Sequence, residues 1–273
     1  MTQATLRKPL RFEGIGLHTG AHATVDVRPA PAGDGIAFVI GKTRVPAAIE
    51  HVLDTSRATV IGIGESSVST TEHLLSALFA MGVTNAEIRV NGPEIPALDG
   101  SAAEFVQQIA DAGLEMQAHA RKVIELDRPI WLHAGDRMLA AFPSDGFRVR
   151  FVADFPDPIG TQYFDGKIDP EHYATEVAGA RTFAYLHEVE ALWARGLGRG
   201  GSLENALIFA AEGPMQELRW RNEAVRHKVL DLIGDFALLG AWPQFEIVAI
   251  KSGHELHASM LRALQRRLRV PSA

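Results

Sequence analysis

Over the first hundred residues, apolar and polar positions alternate with a period of two. Ala23-Thr-Val-Asp-Val-Arg, Ile36-Ala-Phe-Val-Ile and Ala58-Thr-Val-Ile-Gly-Ile are short β-branched runs separated by Gly- and Pro-containing turns, which predicts strands. The period then lengthens. From about Ser69, Leu74, Leu78 and Met81 form a stripe of helical spacing, and Gly82 supplies the stop. A further strand is expected at Ala86-Glu-Ile-Arg-Val-Asn. The turn-rich segment Gly92-Pro-Glu-Ile-Pro-Ala-Leu-Asp-Gly follows, then a second helix from about Ser101 with Phe105 and Ile109 on one face.

The rest of the chain repeats this plan. Leu17-His-Thr-Gly is echoed by Leu132-His-Ala-Gly, and strand-like alternation follows each. Val225 to Gly240 reads as helix, Phe245-Glu-Ile-Val-Ala-Ile as strand and Glu255 to Leu268 as a closing helix. Helix, strand, helix in both halves predicts an α+β fold of two similar domains, each a β-sheet packed against a pair of helices. The boundary falls near Gln117–Arg121, dividing the chain into 1–118 and 119–273. The spacing fails to match over about 156–215, which reads as an insert in the second domain. Such segments often carry function.

Composition narrows the chemistry. A formal net charge of −6 argues against non-specific nucleic-acid binding, and an anionic ligand would need a locally basic pocket. With no cysteine, disulfides, thiolate nucleophiles and cysteine-based zinc sites are excluded, so any metal must be held by His, Asp or Glu. No apolar run approaches transmembrane length, and the start of the chain lacks a signal-peptide core. The expectation is a cytoplasmic enzyme with no transmembrane segment, free to make transient contact with a membrane surface.

Three clusters could do chemistry. In Val225-Arg-His-Lys-Val-Leu-Asp-Leu-Ile-Gly-Asp, His227, Asp231 and Asp235 recur every four residues and share one helix face. A His and an Asp so spaced can hold one metal ion, and a solvated polar stripe fits as well. In Ser69-Thr-Thr-Glu-His, Glu72 sits three residues after Ser69, as in a capping box, which leaves His73 unexplained. A carboxylate beside a histidine ligand is also how hydrolytic zinc sites place a base. In Ile250-Lys-Ser-Gly-His-Glu, Lys251 and His254 occupy a turn between strand and helix that could equally be an ordinary polar loop. Gly196-Leu-Gly-Arg-Gly-Gly lacks the preceding strand and the spacing of a dinucleotide-binding turn and reads as loop backbone. His73 and His227 open corresponding helices, so packing the halves together would bring both to one interface, a preferred place for sites.

An ordered set of motifs resembles the UDP-3-O-acyl-N-acetylglucosamine deacetylase family. It comprises Gly14-Ile-Gly-Leu-His-Thr-Gly, Ser69-Thr-Thr-Glu-His-Leu, Asn91-Gly-Pro-Glu-Ile-Pro-Ala-Leu-Asp-Gly-Ser, Ala180-Arg-Thr-Phe, Gly200-Gly-Ser, the Val225–Asp235 run and Lys251-Ser-Gly-His. The resemblance implies an active site at the domain interface and the removal of acetate from a UDP-linked acylated amino sugar in lipid A biosynthesis. It implies one Zn2+ per chain, with Fe2+ as the alternative ion, on His73, His227 and Asp231. It gives Glu72 the role of general base. His254 is the cationic acid, with Asp235 as its partner. Thr182 helps hold the tetrahedral intermediate. Phe183 and Lys228 contact substrate, and Lys251, Arg137 and Phe155 fall near the UDP portion. The insert becomes a passage for the acyl chain, and a monomer is expected. Many members carry a cysteine near Ala58–Ile61, which this chain lacks. A silent binding protein on the same scaffold would have no use for Glu72 and His254 together, and a structural zinc site calls for four ligands rather than three.

Overall fold

A computed structural model describes residues 1–268. Its described helices are α1 (Glu72–Ala80), α2 (Ala103–Ala112), α3 (Pro170–Glu176), α4 (Leu186–Ala194), α5 (Glu223–Ala237) and α6 (His254–Leu268). None of them is long and apolar enough to cross a membrane.

The repeat seen in the sequence is a repeat of topology. One sheet runs, in spatial order, Leu10–Ile15, His22–Pro29, Ala86–Asn91, Ile36–Ile40, Thr43–Pro46. The other runs Ile130–Ala134, Arg137–Pro143, Trp242–Ile250, Arg148–Asp154, Thr161–Lys167. Both have the same pairing pattern: antiparallel, antiparallel, parallel, antiparallel. In each, the strand in the middle of the sheet is the last in sequence, and a helix stands on either side of it in the chain. Val123–Glu125 adds a parallel sixth strand to the second sheet. The echo Leu17-His-Thr-Gly and Leu132-His-Ala-Gly marks the turn between the first two strands of each sheet, with Gly20 at φ +66° and Gly135 at φ +65°. Strand Thr2–Leu6 pairs antiparallel with Leu114–Ala120, so the chain passes from one half to the other along a strand.

Alternation places one sheet face inward. In His22–Pro29, Ala23, Val25 and Val27 are fully buried while the residues between them are partly exposed. All nine residues of α1 are buried, more than its predicted stripe requires. A helix apolar all round belongs inside a core, and α1 packs against both α2 and α5.

α1 also starts later than the sequence spacing suggests. Ser69 bridges to Glu94, Thr70 adopts a left-handed φ of +57°, and Thr71 precedes the helix without a side-chain cap. No capping box forms, and the carboxylate of Glu72 is free for other partners.

Each half carries extra elements at the same point, between the outer strand and the helix that precedes the middle strand. In the first half these are the short strands Val52–Asp54, Val60–Ile63 and Ser66–Val68. In the second half they are α3, α4 and the strands Phe183–Tyr185, Leu207–Ala210 and Gly213–Pro214, all following the sheet strand that ends at Lys167.

Candidate active site

α1 and α5 cross at Gly234. A Cβ there would strike the main-chain carbonyl of Glu72, so glycine is what allows the two backbones to touch. The crossing sets Glu72 and His73, the first two residues of α1, against three turns of α5 that carry His227, Asp231 and Asp235. None of the five is more than 5% exposed. A solvated stripe is thereby ruled out. Ionisable groups buried this deeply must satisfy one another or hold a ligand.

His73, His227 and Asp231 each offer a ligand atom, and the three atoms lie within 4.8 Å of one another. Asp231 Oδ1 is 3.4 Å from His227 Nε2 and 3.8 Å from His73 Nε2. His227 Nδ1 donates to the Ala180 carbonyl at 3.0 Å, which leaves Nε2 as the lone-pair nitrogen facing Asp231. Such outer hydrogen bonds orient metal-bound histidines. Burial holds His73 down to about 3, aided by the neighbouring His227, and it lowers His227 as well. Neutral imidazole is the ligating form. Burial opposes the charge on Asp231, but His227, Lys228 and His254 outweigh it and keep the group well below the usual carboxylate range. Two neutral imidazoles and one carboxylate, with no fourth residue in that group among the described residues, suit a catalytic divalent ion such as zinc.

Beside this set stands an acid–base pair. Glu72 Oε2 accepts from the Thr59 main-chain N–H at 3.1 Å, and Oε1 lies 3.8 Å from His254 Nε2. Burial pushes Glu72 up to about 8, with the charge of His254 pulling the other way. His254, the first residue of α6, donates Nδ1–H to Asp235 Oδ2 at 2.7 Å. Burial disfavours the imidazolium, yet Asp235, Glu72 and Asp231 outweigh it and raise His254 to about 10. Burial likewise disfavours the Asp235 carboxylate, but His254 and the hydrogen bonds from both neighbouring histidines bring it to about 2. The pair is therefore imidazolium and carboxylate at neutral pH.

The remaining predicted residues divide into two groups. Lys228 Nζ bonds Asp231 Oδ2 at 2.8 Å and sits 5.6 Å from the Phe183 ring centroid. Thr182 is fixed by its main chain, donating to Gly100 and accepting from Leu207, each at 2.8 Å. A cavity of about 870 Å³ reaches Thr182, Phe183, Lys228 and His254, and Arg137 also lines it. Its apolar wall includes Leu17, Leu192, Trp193, Leu203, Ile208 and Met215, mostly from the extra segment of the second half. Lys251 and Phe155 do not line it. Lys251 Nζ is tied to Asp136 at 2.6 Å and Asp154 at 3.2 Å, and Phe155 packs edge-on against Phe183.

Sequence reasoning passed over several residues at this site. Thr59 supports both Glu72, through its N–H, and Asp235, through its hydroxyl. His18 and Arg57 line the cavity. His257, one helical turn after His254, also bonds Asp235, and its spacing of three was a usable signal. Glu94, fully buried, accepts from the main chain of His18 and Thr19 and from the hydroxyls of Thr19 and Thr70. It thereby anchors both the His18 turn and the strained residue ahead of α1.

Comparison with known proteins adds to this geometry. The UDP-3-O-acyl N-acetylglycosamine deacetylase family matches residues 3–266. A UDP-3-O-acyl-N-acetylglucosamine deacetylase from Syntrophotalea carbinolica is 44% identical over 269 residues, which is 96% of this chain and 87% of the relative. The enzyme of that name from Nostoc sp. is 43% identical, covering 97% of this chain and 98% of its own length. A Leptospira biflexa counterpart is 39% identical, covering 95% and 88%. With matches running nearly end to end over a chain whose buried histidines and carboxylates converge at one helix crossing, this protein belongs to the UDP-3-O-acyl N-acetylglycosamine deacetylase family.

Proposed function

We propose that this chain hydrolyses the acetamide of UDP-3-O-acyl-N-acetylglucosamine, giving the free amine and acetate in lipid A biosynthesis. The observation that carries the reading is the meeting of His73 from one half with His227 and Asp231 from the other, next to Glu72 and the His254–Asp235 pair, at the end of a largely apolar cavity that reaches His254, Lys228 and Thr182. His73, His227 and Asp231 would hold one Zn2+ or Fe2+, and such an ion polarises the acetyl carbonyl and acidifies water.

The side chains supply the proton transfers. Glu72, held by Thr59, takes a proton from the attacking water. A cation among the neighbouring ligands favours its carboxylate form and offsets the effect of burial. His254, kept protonated by Asp235, faces the same space through Nε2, where it can stabilise negative charge on oxygen and then protonate the departing amine. The Thr182 hydroxyl is assigned to the tetrahedral intermediate, and Lys228 and Phe183 to the sugar. The cavity wall supplied by the segment after Lys167 takes the acyl chain, within the broader insert expected at about 156–215. Arg137 serves the UDP end, joined by Lys251 and Phe155 if substrate draws Lys251 away from Asp136 and Asp154. The two halves are assigned as domains 1–118 and 119–273, acting as a monomer.

The test is acetate release from UDP-3-O-acyl-N-acetylglucosamine by metal-loaded protein, run beside UDP-N-acetylglucosamine. A buried acyl chain gains roughly 0.8 kcal/mol per CH₂, so the deacylated compound should have a far lower kcat/KM. Equal kcat/KM for the two would point to an amidase for a different substrate, and no acetate from either would overturn the reading.

A further inference from the structure

We infer that His257 is a positioning residue for the reaction, locking the Asp235 carboxylate in the orientation that serves His254. The inference rests on the reading of His254 and Asp235 as the acid and its partner. His254 opens α6, and His257 lies one turn later on the same face. Both donate through Nδ1 to one oxygen, Asp235 Oδ2, each at 2.7 Å. The other oxygen, Oδ1, accepts from the Thr59 hydroxyl. Three donors from two segments, α6 and the residues just before Val60–Ile63, thus fix the carboxylate. The Thr59 hydroxyl also stands 3.3 Å from His254 Nδ1, so the donors form one cluster around the carboxylate.

The far side of His257 is fixed as well. Its Nε2 lies 3.0 Å from the Ser252 hydroxyl, in the turn that leads into α6. His257 is completely buried and Ser252 nearly so. Nδ1 must carry its hydrogen to reach a carboxylate, and in a ring kept neutral by complete burial Nε2 then accepts from Ser252, the Nδ1–H tautomer. Burial lowers the basicity of His257, in keeping with that form. A neutral donor here has a specific value. It occupies the second lone pair of Oδ2 without bringing a second cation to compete for the charge of Asp235. Without that donor, the buried oxygen is left unsatisfied or the carboxylate turns to find another partner. A turn of the carboxylate moves the acceptor away from His254 Nδ1, and a lone pair left unfilled on Oδ2 weakens its hold on one orientation. Ser252 of the Lys251-Ser-Gly-His motif thereby gains a purpose that its place beside His254 alone does not explain.

The test uses the full-length, metal-loaded protein and UDP-3-O-acyl-N-acetylglucosamine. His257→Leu keeps bulk and removes the donor. It should lower kcat by about 10–100-fold, as loss of outer-shell partners does at metal sites, with metal content and KM little changed. His257→Asn sets an amide N–H where Nδ1 stands and should retain kcat within about threefold of wild type. In the wild-type protein, two-bond 1H–15N correlation should show the His257 ring as the Nδ1–H tautomer, a measurement that needs no variant to fold. Wild-type kcat in a folded Leu variant, an Asn variant as impaired as the Leu variant, or the Nε2–H tautomer would each overturn the inference. His254→Gln and Asp235→Asn in the same assay separate the two ideas. If they lose kcat while His257→Leu does not, the inference alone fails. If they keep wild-type kcat, the acid–base reading fails and takes the inference with it.

Discussion

The two halves share one strand order and flanking helices in the same places, yet they contribute unequally to the site. From the first half, α1 gives Glu72 and one proposed ligand, His73, at its first turn. From the second, α5 gives His227, Asp231 and Asp235 from three successive turns, and α6 gives His254 and His257. The contrast lies in the connection from the middle strand to the next helix. In the second half only Lys251–Gly253 separate that strand from α6, so the start of α6 lands on the site. In the first half Gly92–Ala102 intervene before α2, and this longer turn supports the site from behind, through Glu94 and the Asp99–Arg219 ion pair at 2.8 Å. One fold used twice brings the helix after the middle strand onto the proposed site in one copy and a bracing turn behind it in the other, because loop length decides where that helix begins.

The largest loss is expected at the proposed metal ligands. His73→Ala should abolish bound metal and activity as completely as His227→Ala or Asp231→Ala, although it removes only one of three donors, because the site needs both halves. Elemental analysis of the purified variants decides it, and full occupancy in any one would remove that residue from the ligand set.

Glu72→Gln should come next, lowering kcat by about 10²–10⁴-fold. Gln still accepts from Thr59 N–H, so melting temperature and metal content should stay close to wild type. Near-normal turnover in this variant would leave the first half with a ligand and no catalytic group.

The pH profile sharpens the picture further. Glu72, pushed up to about 8 by burial, must lose its proton, so activity falls as pH drops through its value, which a bound cation brings below 8. His254 must keep its proton. Burial lowers it and the carboxylates raise it to about 10, a bound cation brings it down from there, and activity falls again as pH rises through the resulting value. Asp235→Asn should move the basic limb to lower pH, and His254→Gln should remove it. A basic limb unchanged in both variants would assign it to another group.

The smallest effect is expected at the helix crossing. Gly234→Ala drives a methyl into the Glu72 carbonyl. The variant should lose about 1–3 kcal/mol of stability, typical of overpacking, with a reduced kcat from the displaced Glu72. Chemical denaturation measures the first and turnover the second, and a neutral result would mean that the crossing has slack.

Much of this was legible in the chain. The echo of Leu17-His-Thr-Gly in Leu132-His-Ala-Gly marks equivalent turns, and the four-residue spacing of His227, Asp231 and Asp235 marks one helix face. Three features were harder to read. The Ser69–Glu72 spacing imitates a capping box, but Thr70 turns left-handed under the hold of Glu94, a partner 24 residues away, and the helix begins later. Thr59, just ahead of the strand Val60–Ile63, meets Asp235 across 176 residues, and nothing local distinguishes it from any other threonine. Lys251, expected near the nucleotide, is tied to two carboxylates, Asp136 and Asp154, both far from it in the chain.

The strand order also governs how the molecule is made. Because the middle strand of each sheet is its last in sequence, the hairpins on either side of it must wait with an unpaired inner edge. In the first half the wait is short, from Pro46 to Ala86. In the second it runs from Lys167 to Trp242, during which two hairpins, Ile130–Pro143 and Arg148–Lys167, stay separate and exposed to stray pairing. On a ribosome the second sheet can close only after residue 250 has emerged, and His254 follows within four residues. Completion of the fold and completion of the catalytic set are thus nearly one event, and a chain cut short before that strand carries all three proposed metal ligands without the sheet that would hold two of them in place.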